Sequence, residues 1–89
     1  MGENTLTTEK VYVPVIVIFM EDGTVIPRAI VWEDRVIYEI DKVLDQRRCA
    51  SLKAGGVGMR FTIMVCGHKR YLYYEDNGKW FLEVEKRKR

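Results

Sequence analysis

Six cations crowd the middle of this chain: Arg47, Arg48, Lys53, Arg60, Lys69 and Arg70, with Tyr71 and Tyr73 directly behind them. Basic side chains beside aromatic rings on a sheet are what single-stranded nucleic acid requires, because cations neutralise phosphate and rings stack on bases. The charge distribution runs the same way. Residues 1–41 carry a balance of −5, residues 42–70 carry +6 and residues 71–89 carry +1, for a net +2. A basic middle attracts phosphate or an acidic protein surface. It equally lets a basic hairpin pair with an acidic one inside the molecule, and both readings stand at this point.

Other candidate chemistry is thinner. Gly55-Gly56-Val57-Gly58 fits neither the dinucleotide fingerprint nor the P-loop, so it reads as a turn entering a strand. Its residual use is anion binding by backbone N–H groups near Lys53 and Arg60. His68 is the only histidine and falls in a turn, with no ligand-spaced partners, so no metal site is expected. Glu33-Asp34 and Glu75-Asp76 read as turn residues. No pattern pairs a nucleophile with a base. The expectation is a non-catalytic protein with no cofactor and no catalytic residue.

Cys49 and Cys66 lack metal-ligand spacing and read as reduced thiols of a cytoplasmic protein, the alternative being a disulfide between neighbouring strands. The apolar run from Val11 to Met20 is too short for a bilayer and is interrupted by Pro14. It also lacks the basic flank and cleavage site of a signal peptide. Met1-Gly2 is not followed by the Ser or Thr of a myristoylation signal, since position 6 is Leu6. No membrane association is expected.

The elements that must hold these residues are strands. The 89 residues suit one domain, with 47% apolar and 31% charged side chains, a globular composition. Net stability for that length is about 4–13 kcal/mol. Short apolar segments alternate with turn signals at Glu21-Asp22-Gly23, Glu33-Asp34, Gly67-His68 and Asp76-Asn77-Gly78. The expected organisation is a flexible stretch over 1–10, one β domain over 11–85 and a basic tail over 86–89. Strands are expected over 11–20, 25–32, 35–48, 57–66, 69–75 and 79–85. Pro27 implies an edge or a bulge, and the pattern slips near Asp41-Lys42. A short helical turn around 45–52 is an option. The fold class is all-β: one small antiparallel domain of five or six strands, curled into an SH3-like or related small barrel that hides its edges. The runner-up is an open sheet that dimerises through its first strand. The expected state is a monomer or weak homodimer.

Register can be argued further in the C-terminal half. A two-residue Gly67-His68 loop and a three-residue Asp76-Asn77-Gly78 loop put Phe61, Ile63, Val65, Leu72, Tyr74, Trp80, Leu82 and Val84 on one apolar face. A two-residue Asn77-Gly78 turn would send Glu83 to that face instead. The opposite face then holds Met64, Tyr71, Tyr73 and Phe81, either covered by the first hairpin or exposed as a partner-binding patch. Two function classes follow: a nucleic-acid-associated binding domain, or a protein-interaction or accessory module.

Pro27 to Trp32, Tyr38 to Asp45, Ala50 to Gly58 and Trp80-Phe81-Leu82-Glu83 resemble segments of small bacterial β domains of clostridial type. The spacing of Trp32, Tyr38 and Ile40, with the terminal Trp-Phe-Leu-Glu, is also similar to a small domain found with ImuB-type, Y-family-polymerase-like proteins. The resemblance covers about residues 25–85. It implies a bacterial cytoplasmic protein in a nucleic-acid context and carries over no catalytic residue.

Overall fold

The computed structural model describes residues 6–50 and 57–87. Its elements are β1 (Leu6–Tyr12), β2 (Val15–Phe19), β3 (Val25–Val31), β4 (Ile37–Glu39), β5 (Lys42–Ala50), β6 (Val57–Val65), β7 (His68–Glu75) and β8 (Trp80–Arg87). They form two antiparallel sheets. The larger has the order β1-β8-β7-β6-β5 and the smaller β2-β3-β4. The protein is all-β.

Eight strands stand where five or six were expected because two long strands are each divided at a corner. Val13-Pro14 divides the first. The Val13 N–H bonds to the Trp80 carbonyl in the large sheet (3.1 Å), and the Pro14 carbonyl accepts from Val31 in the small one (3.0 Å). Ile40-Asp41 divides the other. Ile40 donates to Arg28 in the small sheet (2.9 Å) and Asp41 to Met64 in the large one (2.8 Å). The pattern slip near Asp41-Lys42 thus marks a change of sheet. The expected barrel is not closed by strand pairing. Covalent chain joins the sheets at both corners, and the ladders stay separate. β1 also starts at Leu6, ahead of the expected Val11, and β5 continues as strand where a helical turn was an option.

Three of the hairpin loops share one construction. In Glu21-Asp22-Gly23, Glu33-Asp34-Arg35 and Asp76-Asn77-Gly78, the third residue has positive φ: Gly23 at 91°, Arg35 at 68° and Gly78 at 89°. The middle Asp or Asn side chain accepts from the backbone N–H two residues on, at 2.8, 2.9 and 3.0 Å. This is the turn followed by a left-handed residue that three-residue hairpins favour. The fourth hairpin corrects an expectation. Val65 pairs with His68, so the loop is Cys66-Gly67, with φ of 52° and 76°. Two consecutive positive φ values define the type I′ turn, whose twist matches the strands. The partner register moves by two residues, which preserves every face.

The expected core forms. Leu72 pairs with Leu82 and Tyr74 with Trp80. Phe61, Ile63, Leu72, Trp80 and Leu82 are buried together with Val13 and Ile30, with Val15, Val17 and Val25 of the first hairpin packed against them. Pro27 lies in the central strand of the small sheet, beside a bulge in that same strand. Ile16 pairs with Ala29 but Val17 with Pro27, so Arg28 is skipped in the ladder.

Candidate nucleic-acid interface

The face of the large sheet away from the core is organised by one line of pairing. Tyr12 of β1 stands opposite Phe81 of β8, Phe81 opposite Tyr73 of β7, Tyr73 opposite Arg60 of β6, and Arg60 opposite Arg47 of β5. Three rings and two guanidinium groups therefore cross all five strands in one row. Tyr73 stacks on Phe81 with centroids 4.8 Å apart and planes 5° apart, and Tyr12 meets Phe81 edge-on at 5.6 Å. The Lys10 ammonium lies 4.8 Å from the Phe81 centroid.

Lys10 is the charged hub of this row. It donates to the Tyr12 hydroxyl (2.9 Å) and to Glu75 (3.3 Å), while Tyr12 donates to the other Glu75 oxygen (2.9 Å). The Tyr12 hydroxyl, ahead of the opposing desolvation and the Glu75 charge, holds the Lys10 ammonium above its ordinary pKa. Burial pushes the Glu75 carboxyl up, but hydrogen bonds from Tyr12 and Lys10 outweigh it and leave it below the usual range. On β7, burial and then the Glu83 charge raise the Tyr73 phenol. That hydroxyl donates to Glu83 at 3.3 Å. The Arg60 guanidinium carbon lies 5.0 Å from the Tyr71 ring centroid, and its buried Nε has no hydrogen-bond partner.

The structure divides the six expected cations. Arg47, Arg60 and Lys69 share the outer face with Tyr71, since Arg60 pairs with Arg47 and Met64 with Lys69. Arg48 and Arg70 belong to the opposite face, where they pair with Met59 and Ile63. One amino group of Arg48 contacts both Asp76 oxygens, at 2.8 and 3.0 Å. Arg47 pairs with Asp45 at 2.9 Å. Lys53 lies outside the described residues. Lys10 and Tyr12 were missed, although the alternation of Lys10 and Tyr12 with Glu9 and Val11 carries a strand signal.

The four expected partner-binding residues part company as well. Tyr71 is exposed and Met64 half-buried, but Tyr73 is 8% and Phe81 only 1% exposed. The first hairpin does not cover them, because its inward residues pack on the other face of the large sheet. Neighbouring side chains on their own face do so instead. The bare apolar surface lies elsewhere. Ile16, Ile18 and Met20 of the first strand pair and Ile37 of β4 are 39–56% exposed on the outer face of the small sheet. The signal for it was the first strand's two apolar faces.

Gly58 is part of β6, where an added Cβ would strike the backbone of Tyr74 and Glu75 across the ladder. Close strand approach therefore accounts for this glycine. Cys66 is an exposed free thiol. Among the described residues no cluster of three His, Cys, Asp or Glu forms a metal site, and no helix is long and apolar enough to cross a membrane.

Comparison with protein-family models, with curated proteins and with solved structures finds no match.

Proposed function

We propose that this is a cytoplasmic, non-catalytic binding domain that takes single-stranded nucleic acid along the outer face of its five-stranded sheet. One observation carries the reading: two exposed tyrosines on that face each stand beside cations. Tyr71 has Arg60 at 5.0 Å, and Tyr12 has Lys10 at 5.1 Å and Lys79 at 5.7 Å. Exposed rings give stacking platforms, and flexible cations give phosphate contacts beside them. Tyr73 and Phe81 form the buried base that holds the platforms apart. Glu75 and Glu83 lie on the same face, but each is engaged by its neighbours.

The test is fluorescence anisotropy with a labelled oligothymidine across salt. Binding weakens steeply as salt rises, because phosphate contacts release counterions. Tyr71→Ala weakens it about tenfold, within the range of one lost stacking contact. Arg60→Gln lowers the salt slope by about 0.7. No binding at low salt ends this reading.

A second reading rests on the bare small sheet. Ile16, Ile18, Met20 and Ile37 are exposed apolar side chains on its outer face, and a two-fold contact would set that face against itself in a second copy of the chain. Light scattering across concentration tests this. A monomer at every concentration, unchanged by Ile18→Glu, removes it.

A further inference from the structure

A cleft opens between the sheets on the face opposite the proposed nucleic-acid surface. Its volume is about 310 Å³, and its walls bring Ile30 and Trp32 of the β3 side against Val65, Leu82 and Val84 of the large sheet. Its polar lining comes from Tyr38, Cys66, His68 and Arg70. The Tyr38 hydroxyl is already engaged with Asp34 at 3.1 Å. Arg70 is different. One of its amino groups donates to the neighbouring Lys69 carbonyl at 2.9 Å, and the guanidinium meets no carboxylate among the described residues.

We propose that this cleft binds a small amphiphilic carboxylate, with its chain on the apolar wall and its carboxylate on Arg70. The apolar lining excludes a wholly polar ligand, since it offers few partners for buried hydrogen-bonding groups. An available guanidinium matches a carboxylate, which it can hold with two parallel hydrogen bonds. Size narrows the class further: at about 310 Å³ the cleft lies at the small end of small-molecule sites, which suits a medium-chain fatty acid. Pockets that fix orientation with few polar groups on an apolar wall follow this pattern. The inference is independent of the nucleic-acid reading, because Arg70 and Trp32 lie away from Tyr71 and Tyr12.

The experiment titrates the whole protein with sodium octanoate, 1-octanol and octylammonium, and follows the indole N–H signals of Trp32 and Trp80 by NMR. The expected result is a saturable shift at Trp32 with octanoate and binding about tenfold weaker for 1-octanol, the size of one lost charged hydrogen bond. Octylammonium binds weakest, because its charge repels Arg70. Arg70→Gln weakens octanoate about tenfold and leaves 1-octanol unchanged. The residue is exposed, so the variant keeps the wild-type melting curve. Equal binding of octanoate and 1-octanol overturns the proposal, as does an Arg70→Gln variant that binds octanoate like wild type. So does the absence of any saturable shift at Trp32.

Discussion

The outer faces of the two sheets solve the same problem differently. Each sheet presents apolar side chains away from the core, and among the described residues no further layer lies over either face. On the large sheet, Phe81 nonetheless reaches 1% exposure. Tyr12 packs on its edge, Tyr73 stacks on its plane and Lys10 lies over the ring. On the small sheet, Ile16, Ile18 and Ile37 stay 45–56% exposed. The difference is side-chain reach. Long amphipathic residues lay an apolar stem over a neighbour and keep the polar tip in water, whereas short β-branched residues stand upright and cover little. A sheet face can therefore bury an aromatic without a covering layer, provided that long polar-tipped residues flank it.

The largest test of that contrast is truncation on both faces. Phe81→Ala is expected to cost about 3–5 kcal/mol, as much as Trp80→Ala in the interior. Ile18→Thr on the bare face should stay within about 0.5 kcal/mol. Equilibrium denaturation in urea decides, and a mild Phe81→Ala would break the comparison. Sequence reasoning left Phe81 either covered by the first hairpin or exposed; the β7–β8 register holds, and the cover comes from Tyr12, Tyr73 and Lys10 on its own face.

Gly58→Ala follows, at about 1–3 kcal/mol, the cost of overpacking against a backbone that must shift. A variant as stable as wild type would show that β6 and β7 have room at that rung. Arg35→Gly acts in the other direction. A side chain in the left-handed region costs about 1–2 kcal/mol, partly offset by the entropy of glycine, so a gain of about 0.5–1 kcal/mol is expected. Thermal melting reads it, and a loss would mean that the Arg35 side chain makes a stabilising contact.

The smallest test is the pH response of the Lys10 hub. The folded Glu75 carboxyl lies below its ordinary value, so its contribution is present above the unfolded carboxylate pKa and is lost as pH falls through the folded one. Lys10 shifts upward, so its contribution is present below the ordinary lysine pKa and is lost as pH rises through the folded one. Glu75→Gln should flatten the acid side of a stability profile and leave the neutral-to-alkaline side less steep, through the lost Lys10 partner. An acid limb identical to wild type would remove Glu75 from the hub.

Much of the candidate site was legible as residue types and little as placement. Arg60, Lys69 and Tyr71 do share a face, because strand alternation fixes facing once a strand is recognised. Arg48 and Arg70 do not join them, since adjacent residues in a strand point opposite ways. The pairs Arg47-Arg48 and Lys69-Arg70 are each split by this rule. Tyr12 and Lys10 enter the site from the far end of the chain, by pairing of β1 with β8.

By itself the sequence determined the β class, the Asp76-Asn77-Gly78 loop and the inward set from Phe61 to Val84. These are local properties: turn chemistry sets φ, and a period of two sorts side chains to faces. Only the tertiary structure decided where the long strands break, which face the first hairpin covers and how deeply Phe81 is buried. Each of these depends on contacts between residues far apart in the chain. Val13 must meet Trp80, Asp41 must meet Met64 and Lys10 must meet Glu75, and no spacing within a single segment encodes such meetings.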